Sequence, residues 1–123
     1  DTLISITKKG IAGMQEIKEM MQNYRLQTPK QLGGSEVVVL KDYQNLEETN
    51  LKTGEKTKLL FDETSNVLQF ITAEGTKISA RPSGTEPKIK FYISLKGNYE
   101  ENLESVREKF KQKTIQIKQD LGL

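Results

Sequence analysis

The segment from Arg81 to Lys90, RPSGTEPKIK, combines side chains and backbone groups that can bind an anion. Arg81 presents a planar fork of N–H donors that fits two oxygens of an anion such as phosphate, and Ser83 and Thr85 present hydroxyl groups. Gly84 permits a positive φ, which would turn backbone N–H groups toward the anion. Lys90, on the strand that follows, adds an ammonium group. These five residues predict a local anion site.

Two prolines and one acidic residue affect that prediction. Pro82 and Pro87 bracket the loop and stiffen it, which lowers the entropy lost when a ligand is captured. Glu86 would repel an anion unless its carboxylate points away or pairs with a lysine, and we expect one of these two arrangements. Ser, Gly and Thr are also ordinary turn residues, and an exposed turn with solubilising charges would have the same composition. The local residues alone leave both interpretations open.

The elements that hold this loop are predicted from hydrophobic periodicity. Helical spacing of apolar residues predicts an amphipathic helix from Lys9 to Arg25, which should end before Pro29. After a turn at residues 33–34, the apolar, β-branched run from Glu36 to Tyr43 predicts a strand. Residues 44–63 are polar and predict a loose hairpin or a long excursion.

The second half of the sequence predicts three strands and a helix. Residues 66–72 and 76–80 flank the turn AEG and predict a hairpin, while apolar residues at every second position from Lys88 to Leu95 predict a strand with one buried face. Asn98 and Glu101 form a capping-box pattern ahead of a long closing helix. That helix is predicted from apolar residues at helical spacing: Leu103, Val106, Phe110, Ile117 and Leu121.

This order of elements predicts an α+β fold, with a two-layer antiparallel sheet of about four strands and helices on one face. Residues 1–34 are interpreted as an N-terminal helix and linker, and residues 35–123 as the body of the domain. The loop that follows residue 80 then lies between two sheet strands, where a rigid scaffold commonly presents binding groups.

Composition limits the possible chemistry. The chain has 123 residues and a net charge of +2, which suits one globular domain without the broad positive field needed for unspecific binding of duplex nucleic acid. It contains no cysteine and no histidine, which excludes disulfides, thiolate zinc sites and histidine general bases. No apolar run approaches the length of a bilayer span and no basic-then-apolar leader is present, so we expect a cytoplasmic protein. The first residue is Asp1, not methionine, which suggests a processed product or a fragment of a longer protein.

The loop and the strand after it resemble those of a known family. RPSGTEP at Arg81 to Pro87, followed by KIKFYI, resembles the phosphate-binding loop of the phosphoglucomutase/phosphomannomutase (α-D-phosphohexomutase) superfamily. Upstream, KKGIAGMQEIKEMM, a proline, LGG and VVVLKDY are similar in order to the segment that leads into the C-terminal domain of those enzymes. The resemblance covers most of the chain. It implies a four-stranded antiparallel sheet with helices on one face, similar to the TATA-binding-protein fold.

The resemblance also implies roles for individual residues. Arg81, Ser83, Gly84 and Thr85 would grip the phosphate of a phosphosugar, and Lys90 occupies a position where the family often has an arginine. Family members are isomerases that move a phosphoryl group between O1 and O6 of a hexose, using an active-site phosphoserine, a magnesium ion and a bisphosphate intermediate. The phosphate loop would anchor the end of the substrate that is not reacting.

The rest of that machinery has no counterpart in this sequence. The aspartates are too dispersed to form the family's aspartate-rich magnesium loop: Asp1, Asp42, Asp62 and Asp120. Ser35 and Ser65 lack the neighbouring histidine or lysine that would mark an activated nucleophile. We therefore expect the C-terminal, phosphate-binding domain of a longer mutase, inactive alone, with the Mg²⁺ site outside this chain. The expected partners are a phosphosugar and the other domains of the parent enzyme, not nucleic acid or a membrane.

Other classes of function remain open. A free-standing module could bind phosphorylated ligands without belonging to a mutase, and a similar sheet could bind nucleic acid. Nucleic-acid binding needs stacking aromatic residues beside basic ones on the exposed strand positions, and only Tyr92 beside Lys90 fits. A dimerisation domain with Met20 or Met21 exposed is disfavoured, because methionines of amphipathic helices more often lie in the core.

Overall fold

The computed structural model describes residues 2–7, 10–95 and 103–123. Within these ranges the chain forms eight β-strands and two α-helices. The strands are β1 (Thr2–Thr7), β2 (Gln31–Leu32), β3 (Ser35–Asp42), β4 (Glu47–Asn50), β5 (Lys56–Lys58), β6 (Leu68–Thr72), β7 (Lys77–Pro82) and β8 (Lys88–Ser94). The helices are α1 (Gly10–Leu26) and α2 (Leu103–Asp120).

The strands form one antiparallel sheet with helices on a single face. Its order is β1-β8-β7-β6-β3-β4-β5, and β2 pairs with β3 off this path. Strand β8 alternates strictly, with Ile89, Phe91 and Ile93 buried and the residues between them exposed. The buried side chains of β3, β6, β7 and β8 join those of both helices in one core cluster, and in the described part of the chain neither helix covers the other face of these strands. The predicted α+β class is confirmed.

The sheet is larger than the four strands that the sequence predicts. Strand β1 lies in the part interpreted as helix and linker. It was not predicted, because its sequence TLISIT does not alternate and its partner β8 is distant in sequence. Residues 44–63 contain the β4–β5 hairpin, which is the first of the two predicted options. Its residues are half-buried or exposed, so the hairpin extends the edge of the sheet without an apolar pattern.

The other predicted elements are confirmed, with shifts of a few residues at their ends. Helix α1 ends at Leu26, ahead of Pro29, and the turn between β6 and β7 contains Gly75 with a φ of 91°. The apolar spacing that predicts the closing helix corresponds to α2. The capping pattern at Asn98 and Glu101 lies outside the described residues.

Tyr24 joins α1 to the sheet and to α2. Its ring meets the rings of Phe70 and Phe91 edge-on, with centroid separations of 5.7 Å and 6.4 Å. Its hydroxyl donates a hydrogen bond of 2.7 Å to the carbonyl of Leu121, just beyond α2. Because the phenol is desolvated by burial, its pKa is raised from 10.0 to about 12.

The helix methionines pack inward. Met21 is buried, and Met20 is partly buried against the same core, which agrees with the core assignment of these methionines. Among the described residues, neither helix has a stretch long and apolar enough to cross a membrane.

The turn between β2 and β3 packs against α2. Gly33 and Gly34 have φ values of 64° and 81°, in the left-handed region that favours glycine. The N–H of Gly33 donates a hydrogen bond of 2.9 Å to Oδ2 of Asp120 at the end of α2. A Cβ on Gly33 would lie 3.0 Å from Cγ1 of Ile117, whereas a Cβ on Gly34 would meet nothing within 4 Å.

The two glycines provide a matched test of this contact. Gly34→Ala introduces only the strain of a left-handed alanine, about 1 to 2 kcal/mol. Gly33→Ala adds the close approach to Ile117, so we expect it to lower the free energy of unfolding in urea by about 1 to 3 kcal/mol more. Equal losses for the two variants would contradict the packing of α2 on this turn.

Tyr24 predicts sensitivity to alkaline pH. The folded state binds the phenol proton more tightly than the unfolded state, so this stabilisation is present below about pH 10 and is lost as the pH rises toward about 12. Tyr24→Phe should cost about 1 kcal/mol at neutral pH, because the hydrogen bond to Leu121 is lost. Urea unfolding across this pH range should then show a shallower alkaline loss for Tyr24→Phe. An equally steep loss would contradict the assignment to Tyr24, since the other titrating groups are shared.

Candidate functional site

The predicted anion loop connects β7 to β8, and the pairing of these strands positions its charged residues. Arg81 lies directly opposite Lys90 in the antiparallel register, and both side chains are exposed. Arg81 follows the buried Ala80 on β7, and Lys90 lies between the buried residues Ile89 and Phe91 on β8. The alternation therefore directs both cations to the face of the sheet that the helices do not cover.

A depression of about 400 Å³ lies at this end of the hairpin. Its volume falls within the range of small-molecule sites, roughly 300 to 1,000 Å³. It is lined by Arg81, Pro82, Ser83, Gly84, Glu86, Lys88, Lys90 and Tyr92. Four of the five predicted site residues thus surround one depression. The fifth, Thr85, is not among the lining residues.

Hydrogen bonds within the loop fix its shape. The Oγ atom of Ser83 accepts the N–H groups of Thr85 and Glu86, at 3.3 Å and 3.1 Å. The N–H of Lys88 donates to the carbonyl of Glu86 at 2.7 Å, which forms a γ-turn centred on Pro87, where the fixed φ of proline is suitable. The N–H of Ser83 donates to the carbonyl of Lys88 at 2.8 Å. These contacts hold the loop before any ligand arrives.

Gly84 differs from its prediction. Its φ lies outside the left-handed region, so the predicted positive φ is wrong. The Oγ atom of Ser83 closes the turn by accepting two backbone N–H groups, and no positive φ is needed. A Cβ at Gly84 would meet nothing within 4 Å, so the fold requires a glycine neither for conformation nor for space. Among the backbone N–H groups of the loop, that of Gly84 makes no hydrogen bond to the described residues. The exposed, uncrowded backbone here is accessible to a ligand.

The cations around the depression differ in whether a carboxylate lies beside them. Lys88 Nζ lies 3.2 Å from Oε2 of Glu86, which is the second of the two arrangements expected for that carboxylate. Among the described residues, Arg81 and Lys90 have no carboxylate partner. Like charges directly opposite on neighbouring strands destabilise a sheet, and an anion bound between them would remove that repulsion. The arrangement suits an anion with oxygens on several sides.

Sequence reasoning did not assign Tyr92 to the site. This residue is 43% exposed and lines the same depression as Arg81 and Lys90. The alternating pattern of β8 could have indicated this residue, because Tyr92 lies two residues after Lys90 on the exposed side of the strand.

Curated proteins similar to this chain include phosphoglucomutases of staphylococci. The chain is 40% identical over 96 residues to a phosphoglucomutase of Staphylococcus aureus strain N315, a match that covers 78% of this chain. It is 37% identical over 95 residues, or 77% of this chain, to a phosphoglucomutase of Staphylococcus epidermidis strain ATCC 35984. The chain is related to the C-terminal region of phosphoglucomutases. The match spans 17% of the length of these phosphoglucomutases, and no family model matches the sequence.

Acidic side chains do not form a metal site in the described part of the chain. Asp42 is buried and has structural partners: Oδ2 accepts from Arg25 Nε at 3.2 Å and from Asn45 Nδ2 at 2.7 Å. Ser35, a serine considered as a nucleophile, accepts the N–H of Glu74 at 3.2 Å through its Oγ. These contacts give both side chains roles in the fold.

The juxtaposition of Arg81 and Lys90 predicts a stability gain from a charge reversal. Lys90→Glu would replace the repulsion with Arg81 by an attraction, so we expect the free energy of unfolding to rise by about 0.2 to 1 kcal/mol at low salt. The gain should shrink in high salt because exposed charges are screened. As a control, Lys88→Glu should give no gain, since it breaks the pair with Glu86. A loss of stability in Lys90→Glu at low salt would contradict this electrostatic description.

Proposed function

We propose that this chain is the domain of a phosphoglucomutase-type enzyme that anchors the phosphate of a hexose phosphate while the enzyme interconverts hexose 1-phosphate and hexose 6-phosphate. The observation that carries the proposal is the pair of cations Arg81 and Lys90, which face each other across the β7–β8 hairpin and have no carboxylate partner within the described residues. The staphylococcal phosphoglucomutases support the reaction class. The activity of the whole enzyme is part of the proposal.

Each group of the site has a distinct part in holding a phosphate. The Arg81 guanidinium donates two parallel hydrogen bonds to two oxygens, which fixes orientation as well as charge. The Lys90 ammonium neutralises the anion from the opposite strand, as a point charge without planar geometry. The Ser83 hydroxyl retains its O–H as a donor, since its oxygen is the acceptor within the loop. The Gly84 N–H completes the set, and a role for Thr85 remains a prediction.

Such a site contributes to catalysis by binding. A phosphate held at one end of the sugar orients the other end toward the groups that transfer the phosphoryl group, and this remote binding energy lowers the barrier. In the described residues nothing fits a metal ion, so we propose that Mg²⁺ and the phosphoserine belong to other domains of the parent enzyme. The isolated chain should therefore bind hexose phosphates without converting them.

Arg81→Ala tests this proposal directly. In amide NMR titrations with glucose 6-phosphate, we expect shifts at Ser83, Gly84 and Lys90 of the unmodified chain. The variant should bind at least about tenfold more weakly, because hydrogen bonds to charged groups contribute roughly 1.5 to 3 kcal/mol. Its free energy of unfolding should change by less than about 0.5 kcal/mol, since the side chain is exposed.

Matched controls separate a site from general charge effects. Arg107→Ala removes the same side chain from an exposed position on α2 and should bind like the unmodified chain. Glucose, which lacks the phosphate, should cause no shifts at the loop, and sulfate measures the contribution of a simple anion. Raising the pH through about 6 should tighten binding, because the phosphate becomes a dianion. Unchanged affinity in a folded Arg81→Ala variant would contradict the proposal.

A further inference from the structure

A second depression adjoins the anion site on the uncovered face of the sheet. Its volume is about 210 Å³, and it is lined by Leu3, Gln69, Lys77, Ser79, Tyr92, Ile93 and Ser94. Tyr92 also lines the cationic depression, so its side chain forms the wall that the two depressions share. A ligand held by Arg81 and Lys90 and extending along the sheet would meet this ring first.

The register of the strands places polar groups beside the ring. Tyr92 lies opposite Ser79 of β7 and opposite Leu3 of β1. Ser79 in turn lies opposite Gln69 of β6, and the Gln69 Nε2 donates a hydrogen bond of 3.2 Å to the Ser79 Oγ. The Ser79 hydroxyl keeps its own hydrogen as a donor, and the Gln69 amide keeps its carbonyl oxygen as an acceptor.

The chemistry of this second depression differs from that of the first. The cationic depression is lined by Arg81, Lys88 and Lys90, whereas Lys77 is the single cation among the residues that line the second. An exposed aromatic face beside uncharged hydrogen-bonding groups is suited to a ring that has apolar C–H faces and hydroxyl edges, as a sugar has.

The spacing also matches a phosphorylated sugar. Lys90 and Tyr92 are two residues apart on one face of β8, which separates their Cα atoms by about 7 Å. A phosphate at Lys90 therefore leaves its attached sugar ring within reach of the Tyr92 side chain. An unsubstituted phosphate ion would occupy only the first depression.

We propose that Tyr92 is a sugar-binding residue, on whose ring the hexose of a hexose phosphate packs, with sugar hydroxyls directed to Ser79 and Gln69. This rests on the proposed function for the phosphate end of the ligand. It adds a second set of contacts that would distinguish a hexose phosphate from inorganic phosphate.

The test compares three ligands on the folded chain by calorimetric or NMR titration: inorganic phosphate, glucose 6-phosphate and adenosine monophosphate. Tyr92→Thr keeps a strand-forming residue but removes the ring. We expect it to weaken glucose 6-phosphate about fivefold and to leave inorganic phosphate within about twofold. Tyr92→Phe keeps the ring and should bind glucose 6-phosphate within about twofold of the unmodified chain.

The outcomes separate this inference from the proposed function. If Arg81→Ala weakens all three ligands but Tyr92→Thr weakens none, the phosphate site stands and the sugar contact is overturned. The sugar contact is also overturned if Tyr92→Thr weakens inorganic phosphate and glucose 6-phosphate equally, or if adenosine monophosphate binds more tightly than glucose 6-phosphate with the same dependence on Tyr92. If no phosphate ligand binds the unmodified chain, both proposals fail. Thermal unfolding of each variant verifies that the titrated chain is folded.

Discussion

The register between β7 and β8 is the constraint on which the candidate site depends. Side chains alternate between the faces of a strand, so a slip of one residue would turn every buried residue of β8 outward and every charged residue inward. The fully buried Ile89, Phe91 and Ile93 make such a slip costly, because their apolar surface would be transferred to water. The same core that stabilises the domain thus holds Arg81 opposite Lys90.

This constraint explains how two like charges can be kept close together. Their repulsion is a fraction of a kcal/mol to about 1 kcal/mol, whereas burial of one large apolar side chain contributes roughly 1.5 to 3 kcal/mol. The hairpin also lies inside the sheet, with β1 on one side and β6 on the other, so neither strand can separate to relieve the repulsion without losing a neighbour. The loop is held in addition by the Ser83 acceptor and the turn at Pro87. A preorganised cation pair follows from packing and needs no ligand to form.

The sequence predicted those features that are encoded by local periodicity. The strict alternation around Phe91 and the helical spacing around Tyr24 each have one structural interpretation, and both elements formed as predicted. Strand β1 was not predictable in the same way, because its conformation depends on pairing with β8, more than 80 positions away in the chain. The residue types that could bind an anion were readable from the sequence, and their role is a proposal. The ordinary φ of Gly84 was not, since it results from a hydrogen-bond pattern that Ser83 selects.

Two carboxylates of the domain are held by neighbouring side chains. Asp42 is held by Arg25 and Asn45 at the end of β3, and Glu86 is paired with Lys88. A carboxylate that serves as a metal ligand or a general base needs free lone pairs directed at the reacting group, and these two carboxylates are already bound to the fold. The cations of the hairpin, by contrast, are left without partners among the described residues at the mouth of a depression. These contacts agree with the proposal that the domain holds the phosphate of a substrate and orients it for chemistry performed elsewhere.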